Sequence, residues 1–175
     1  MKATKAFKRN IMKICKEHNF DINRDGEMTV GQAEYDNGSG FMPLFVQRCN
    51  KHFIRIAHYY MQNGDAMADP EIFFYVDSLG DWYPQEFRQD GLGLRRELIA
   101  GEWVEDFKAW KPTKYNQYWQ HDAARFCTAW GKNISWQQSG NSATIHYQDG
   151  YEGTGYIKRQ TWLEIAFTEM LEKAA

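Results

Sequence analysis

Three patterns in the sequence predict an α+β fold, a small antiparallel sheet packed against amphipathic helices. Two segments, one near the amino terminus and one over residues 114–134, repeat apolar residues at helical spacing. Between them lie runs that alternate side chains at period two. Short turns rich in Gly, Asn and Asp separate those runs, and strands joined by short links pair antiparallel with their neighbours.

The first helix is expected over residues 4–18, where Phe7, Ile11, Ile14 and Cys15 share a face and the lysines lie around the other side. Thr4 is the expected N-cap and Asn19 marks the end. The loop that follows, from Asp21 to Gln32, sets Asp21, Asn23 and Asp25 at positions 1, 3 and 5 and Gly26 at 6, as in a calcium loop. Gln32 stands at position 12, where calcium needs a bidentate Glu, so a polar turn leading into a short strand is the better reading. Residues 41–49 read as a strand with a proline-bent entrance. Residues 52–60 follow as a strong strand, with His52, Ile54, Ile56, His58 and Tyr60 on one face and Phe53, Arg55, Ala57 and Tyr59 on the other.

Asn63-Gly64-Asp65 is a turn, residues 71–77 alternate again, and residues 82–88 return after Leu79-Gly80-Asp81. Gln89–Gly93 is a further turn, and residues 94–98 form a brief helix or strand. Residues 103–110 hold three aromatics, and Pro112 bars a continuous helix through them. The second helix covers residues 114–134, with Ala123, Phe126, Cys127, Trp130 and Ile134 recurring on a face. A second, smaller sheet element is expected at 143–147, returning at 153–158, before a final amphipathic helix over 160–173.

At 175 residues the chain can bury a real core without metals or disulfides, so stability requires no cofactor and none is implied. Aromatics are 16% of residues and charged side chains 25%, with a net charge of -2, which excludes a surface adapted throughout to nucleic acid. The charge is uneven, because residues 1–20 hold Lys2, Lys5, Lys8, Arg9, Lys13 and Lys16 against Glu17 alone. Cys15, Cys49 and Cys127 are odd in number and show no CxxC spacing, as expected of reduced thiols. No apolar run approaches the roughly 18 residues of a membrane span, so a cytoplasmic protein without membrane contact is expected.

The densest chemical constellation is residues 58–71. His58, Asp65, Asp69 and Glu71 combine an imidazole with three carboxylates, a set suited to a divalent metal and metal-assisted hydrolysis. The competing reading is structural: Asp65 and Asp69 accept turn N–H groups, and Glu71 pairs with Arg55 across the strands. Nucleophile elbows, zinc-protease helices, phosphate loops and dinucleotide fingerprints are absent from the sequence, and we expect no enzyme. Lysines and aromatics interleave over Lys108–Tyr115, a pattern that serves phosphate and base contact or a charged loop anchored by Trp110.

Met42-Pro43-Leu44, His58-Tyr59-Tyr60, Gln62-Asn63-Gly64-Asp65, Met67-Ala68-Asp69-Pro70-Glu71, Trp82-Tyr83-Pro84 and Phe87-Arg88-Gln89-Asp90 together resemble the DUF6908 family. Its members are small uncharacterised proteins of phages, plasmids and other mobile elements. The helix ending near Thr128–Ile134 resembles the family's final element, and Ala66 stands where a larger aliphatic residue is expected. The resemblance covers residues 38–137. It divides the chain into a basic helix and polar turn (1–37), an α+β core (38–137) and a C-terminal hairpin and helix (138–175).

The family carries no established chemistry to transfer onto named residues. Its mobile-element setting implies a protein-binding module that inhibits a bacterial defence protein or ribonucleoprotein complex, such as an anti-CRISPR protein blocking an RNA-guided nuclease. Inhibition by occlusion needs complementarity and a few anchors, not a catalytic centre. Lys5, Lys8, Arg9, Lys13, Trp110, Lys111 and Tyr115 are the expected partner-binding residues, combining exposure with charge or aromatic area. The alternatives are a metal-assisted hydrolytic enzyme built on residues 58–71 and an accessory nucleic-acid-binding protein using the amino-terminal lysines.

Overall fold

The computed structural model describes residues 1–31, 40–104 and 108–147. The expected α+β architecture is present: a seven-stranded antiparallel sheet, two helices on one face of it, and a two-stranded hairpin on the other. The expected return strand at 153–158 and the helix at 160–173 lie outside the described residues.

In chain order the elements are α1 (Lys5–Glu17), β1 (Gly26–Val30), β2 (Leu44–Asn50), β3 (Phe53–Gln62), β4 (Asp65–Val76) and β5 (Trp82–Gln89). After a single 3-10 turn at Asp90–Leu92 come β6 (Leu94–Glu97), β7 (Ile99–Val104), β8 (Ala109–Tyr115), α2 (Gln117–Gln137) and β9 (Ala143–Tyr147). The large sheet runs β6-β5-β4-β3-β2-β1-β9. β9 therefore extends the main sheet along β1 and does not begin a separate one, a correction to the expected second element at 143–147. The separate two-stranded sheet is instead β7–β8, in the region where the sequence showed aromatics, lysines and the helix-breaking Pro112 but no strand alternation.

Alternation along the strands distributes side chains to two covered faces. Ile54, Ile56, Ile72, Phe74, Val46, Leu44, Met28 and Val30 are buried with Phe7, Ile11 and Ile14 of α1 and Cys127, Trp130 and Ile134 of α2. Phe7 stacks between Phe74 and Trp130, at centroid distances of 5.2 and 5.3 Å, and so ties both helices to the sheet. Thr4 precedes α1 as expected, but its hydroxyl donates to the Trp82 carbonyl at 3.0 Å instead of capping the helix. Asn116 does cap α2, accepting from the Trp119 N–H at 3.0 Å.

The hairpin covers part of the opposite face, where Trp110 packs with Tyr75 and Ile99, flanked by Phe53, Tyr83 and Trp103. His52 belongs on this side, edge-on to Trp103 at 5.7 Å, and not with Ile54 and His58 as strict alternation predicts. The strand begins only at Phe53 and the register shifts between Arg48 and Asn50, so period two does not extend back through the turn. Asn63 and Gly64 both have positive φ, the two-residue turn geometry that matches strand twist in the β3–β4 hairpin.

Candidate functional site

Of the residues expected to bind a partner, Lys111 and Tyr115 lie on the outer run of β8, where residues 111–115 are all exposed. Trp110 is the exception, buried at 7% exposure, which corrects the expectation that its ring is presented to a partner. Its indole lies 4.8 Å from the Tyr75 ring and 5.1 Å from that of Phe53. Trp110 turns inward as the anchor, and because successive side chains of a strand point to opposite faces, the exposure of all five residues after it means that neither face of β8 is covered beyond Trp110. The exposed run continues into α2 through Tyr118 and Trp119, and the Arg96 guanidinium sits 3.4 Å above the Trp119 ring.

Lys5, Lys8, Arg9 and Lys13 belong to α1, on the other side of the large sheet, so the seven residues do not form one continuous surface. Lys5, Arg9 and Lys13 are exposed. Lys8 is half-buried and donates to the Gly80 carbonyl at 2.6 Å, so its ammonium is committed to the β4–β5 turn.

The structure disperses His58, Asp65, Asp69 and Glu71. His58 is buried on the helical side, edge-on to Trp130 at 5.6 Å. Its Nδ1 donates to the Pro43 carbonyl at 2.9 Å, which leaves the lone pair on Nε2, a buried nitrogen with no hydrogen-bond partner among the described residues. Burial holds the imidazole below its ordinary pKa, against the opposing pull of the Pro43 and Met42 carbonyls and Asp69. Asp65 is exposed at the hairpin tip, and Asp69 accepts from Gln89 Nε2 at 2.7 Å. Glu71 points to the opposite face. Among the described residues no group of three His, Cys, Asp or Glu comes together as a metal site requires.

On that opposite face lies a buried ionic network that the sequence signals only through the Arg55–Glu71 pairing. Arg55 reaches Glu71 at 3.8 Å and Glu27 at 3.9 Å, and Tyr59 donates its hydroxyl to Glu71 in a short hydrogen bond. Glu71 is 1% exposed. Burial alone would lower the Arg55 pKa, but Tyr59, Cys49, Glu71 and Glu27 around it outweigh burial and hold it above its ordinary range. Burial raises the Tyr59 hydroxyl and pushes the Cys49 thiol up to about 11, so both are neutral near pH 7. At the margin of this face Arg88 pairs with Asp90, whose other oxygen accepts from the Ala68 N–H at 2.8 Å.

These groups satisfy and hold one another, and the network clamps β1, β3 and β4 together. The presented chemistry is at the periphery instead: a lysine- and aromatic-bearing hairpin on one side and a basic helix on the other. Among the described residues no helix is long and apolar enough to cross a membrane.

No curated protein and no solved structure matches the chain. A family model described as a domain of unknown function, DUF6908, matches residues 9–139. The match is longer than the resemblance over 38–137, taking in most of α1 and all of β1, elements that pack into the same core. The chain belongs to the DUF6908 family.

Proposed function

We propose that this protein is a binding module that inhibits a bacterial defence complex, as an anti-CRISPR protein that blocks an RNA-guided nuclease by occupying a surface the nuclease needs. The observation that supports binding is the β7–β8 hairpin. Its anchor, Trp110, is buried, and the five residues after it are all exposed on a backbone that the anchor holds in place. A pre-ordered surface that carries Lys111, Lys114 and Tyr115 loses little conformational freedom on docking. The target class rests on the mobile-element setting implied by the resemblance, and the hairpin supplies the means of contact.

The test is direct. Purified protein is titrated against reconstituted RNA-guided nuclease complexes of its bacterial host, with binding and target cleavage followed together. Submicromolar binding, cleavage inhibition, and loss of both in Lys111→Glu/Tyr115→Ala are expected. No binding at micromolar concentration, or inhibition untouched by that double change, overturns the reading.

A further inference from the structure

The helix layer presents a second, independent surface. At 100° per residue, Lys5, Arg9, Lys13 and Lys16 centre opposite the buried stripe of Phe7, Ile11, Ile14 and Cys15, so they face directly away from the sheet. On α2 the same construction places Arg125, Ala129, Lys132 and Trp136 opposite the buried stripe of Gln120, Ala124, Cys127 and Ile134. All eight outward residues are exposed. The two helices touch, since a methyl group on Gly131 of α2 would sit 2.9 Å from the Phe7 ring of α1. Their outer sides thus form one face.

That face concentrates charge of one sign. Residues 1–20 and α2 contain eight basic residues against Glu17 and Asp122, whereas the rest of the chain has 13 basic against 21 acidic. Local acids neutralise little of it. Lys5 lies 3.9 Å from Asp81 and Lys13 3.7 Å from Glu17, with the lysines 78% and 74% exposed, pairs worth little in water. Arg125 is the better paired, at 2.8 Å from Asp122.

We infer that the outer face of the α1–α2 layer binds the phosphodiester backbone of a nucleic acid. Lys5, Arg9, Lys13 and Lys16 recur every three or four residues, a rise of about 5–6 Å per step and about 16 Å in all, which gives a row of cations along a polyanion. Lysine is depleted at the centres of protein interfaces, and the α1 row of Lys5, Arg9, Lys13 and Lys16 holds no apolar side chain, the exposed Trp136 of this face belonging to α2. Phosphate contact orients and holds a nucleic acid without reading its bases, and no base-reading element is needed on a face of this kind.

The test uses the full chain and a fluorescein-labelled 20-nucleotide DNA, as duplex and as single strand, with anisotropy read from about 50 to 200 mM salt. Binding should weaken steeply with salt, and the tighter of the two probes identifies the form recognised. Lys5→Gln/Arg9→Gln/Lys13→Gln should weaken binding at least tenfold at the lowest salt and flatten the log–log salt slope by about three, one for each cation removed. Circular dichroism checks that the triple variant is folded, and Lys16→Gln/Lys132→Gln, whose changes lie on both helices, should flatten the slope by about two. Lys111→Glu/Tyr115→Ala should leave DNA binding unchanged, which separates this surface from the hairpin. Failure of both probes to bind at low salt, a slope that the helix variants leave unaltered, or equal affinity for poly-glutamate overturns the inference.

Discussion

At the residue scale, two buried polar side chains are governed by opposite electrostatics. Arg55 lies among Glu27, Tyr59 and Glu71 on the face away from the helices, a charge kept buried because its partners are buried with it. Removing one member leaves the others desolvated and uncompensated. Arg55→Met should therefore destabilise the fold by about 3–5 kcal/mol in urea denaturation, far more than the loss of an exposed arginine. Combining it with Glu71→Gln should recover part of that loss, because the second change removes the stranded carboxylate; strictly additive effects would show that the two groups do not interact. His58 has no such buried charge partner among the described residues. Its pKa is below the unfolded value of about 6.5, so well above that pH both states are neutral and the full stability is present. As pH falls below 6.5 the unfolded chain takes up a proton that the folded chain resists, and stability declines by up to about 1.4 kcal/mol per pH unit until the folded pKa is passed. His58→Asn should reduce that slope in denaturation curves between pH 5 and 7. The partly buried His52 is lowered as well, and its contribution remains in the variant.

At the element scale, the β7–β8 hairpin depends on one close approach. An added Cβ at Gly101 would lie 2.2 Å from Trp110 Cζ2 and 2.6 Å from the Lys111 carbonyl oxygen, and the second of these is backbone that cannot swing aside. Gly101→Ala should thus push Trp110 off Phe53 and Tyr75, cost about 1–3 kcal/mol, and shift Trp fluorescence toward solvent exposure. An unchanged stability would mean that the anchor has room to move. The same hairpin shows where the sequence is hard to read. The strands β2 to β5 were legible because their alternation is strong and their turns are short. β7 and β8 were not, since Ala100, Gly101, Pro112 and the exposed lysines dilute any period-two signal, and pairing across Gly101 is a tertiary fact. In the same way, residues 58–71 gave the constellation but not its dispersal. Ala57 pairs with Glu71 and so shares its face, which puts His58, one residue on, on the opposite face; that cross-strand register, and not the spacing along the chain, decides the dispersal. The pairing of Arg55 with Glu71 was legible because both positions fall on neighbouring strands.

At the scale of the whole molecule, the sheet is finished by residues from distant parts of the chain. β9 pairs along β1, and Tyr147 reaches back to the amino-terminal loop, stacking on Phe20 at 5.7 Å, lying under the Arg24 guanidinium at 4.2 Å and accepting from the Asp21 N–H at 2.7 Å. This join allows a test in which local preference and packing predict opposite signs. Gly26 lies in β1, where strand propensity alone favours Val by up to about 1 kcal/mol. Any side chain there meets β9, because a Cβ would stand 2.8 Å from the His146 carbonyl oxygen and 2.9 Å from Tyr147 Cδ1. Gly26→Val should consequently destabilise by about 2 kcal/mol and lower the melting temperature by about 4–8 °C for a chain of this length. Hydrogen exchange should quicken first along the β1–β9 ladder, with the α1–α2 layer affected less, since the Phe7, Trp130 and Phe74 stack that ties it to the sheet is centred on β4, four strands from β9. A higher melting temperature in Gly26→Val would instead mean that β9 yields readily and that β1 is held chiefly by β2. The sheet would then be completed at β1, and the packing of Ala143, Ile145 and Tyr147 against the core would count for less than the pairing of β1 with β2.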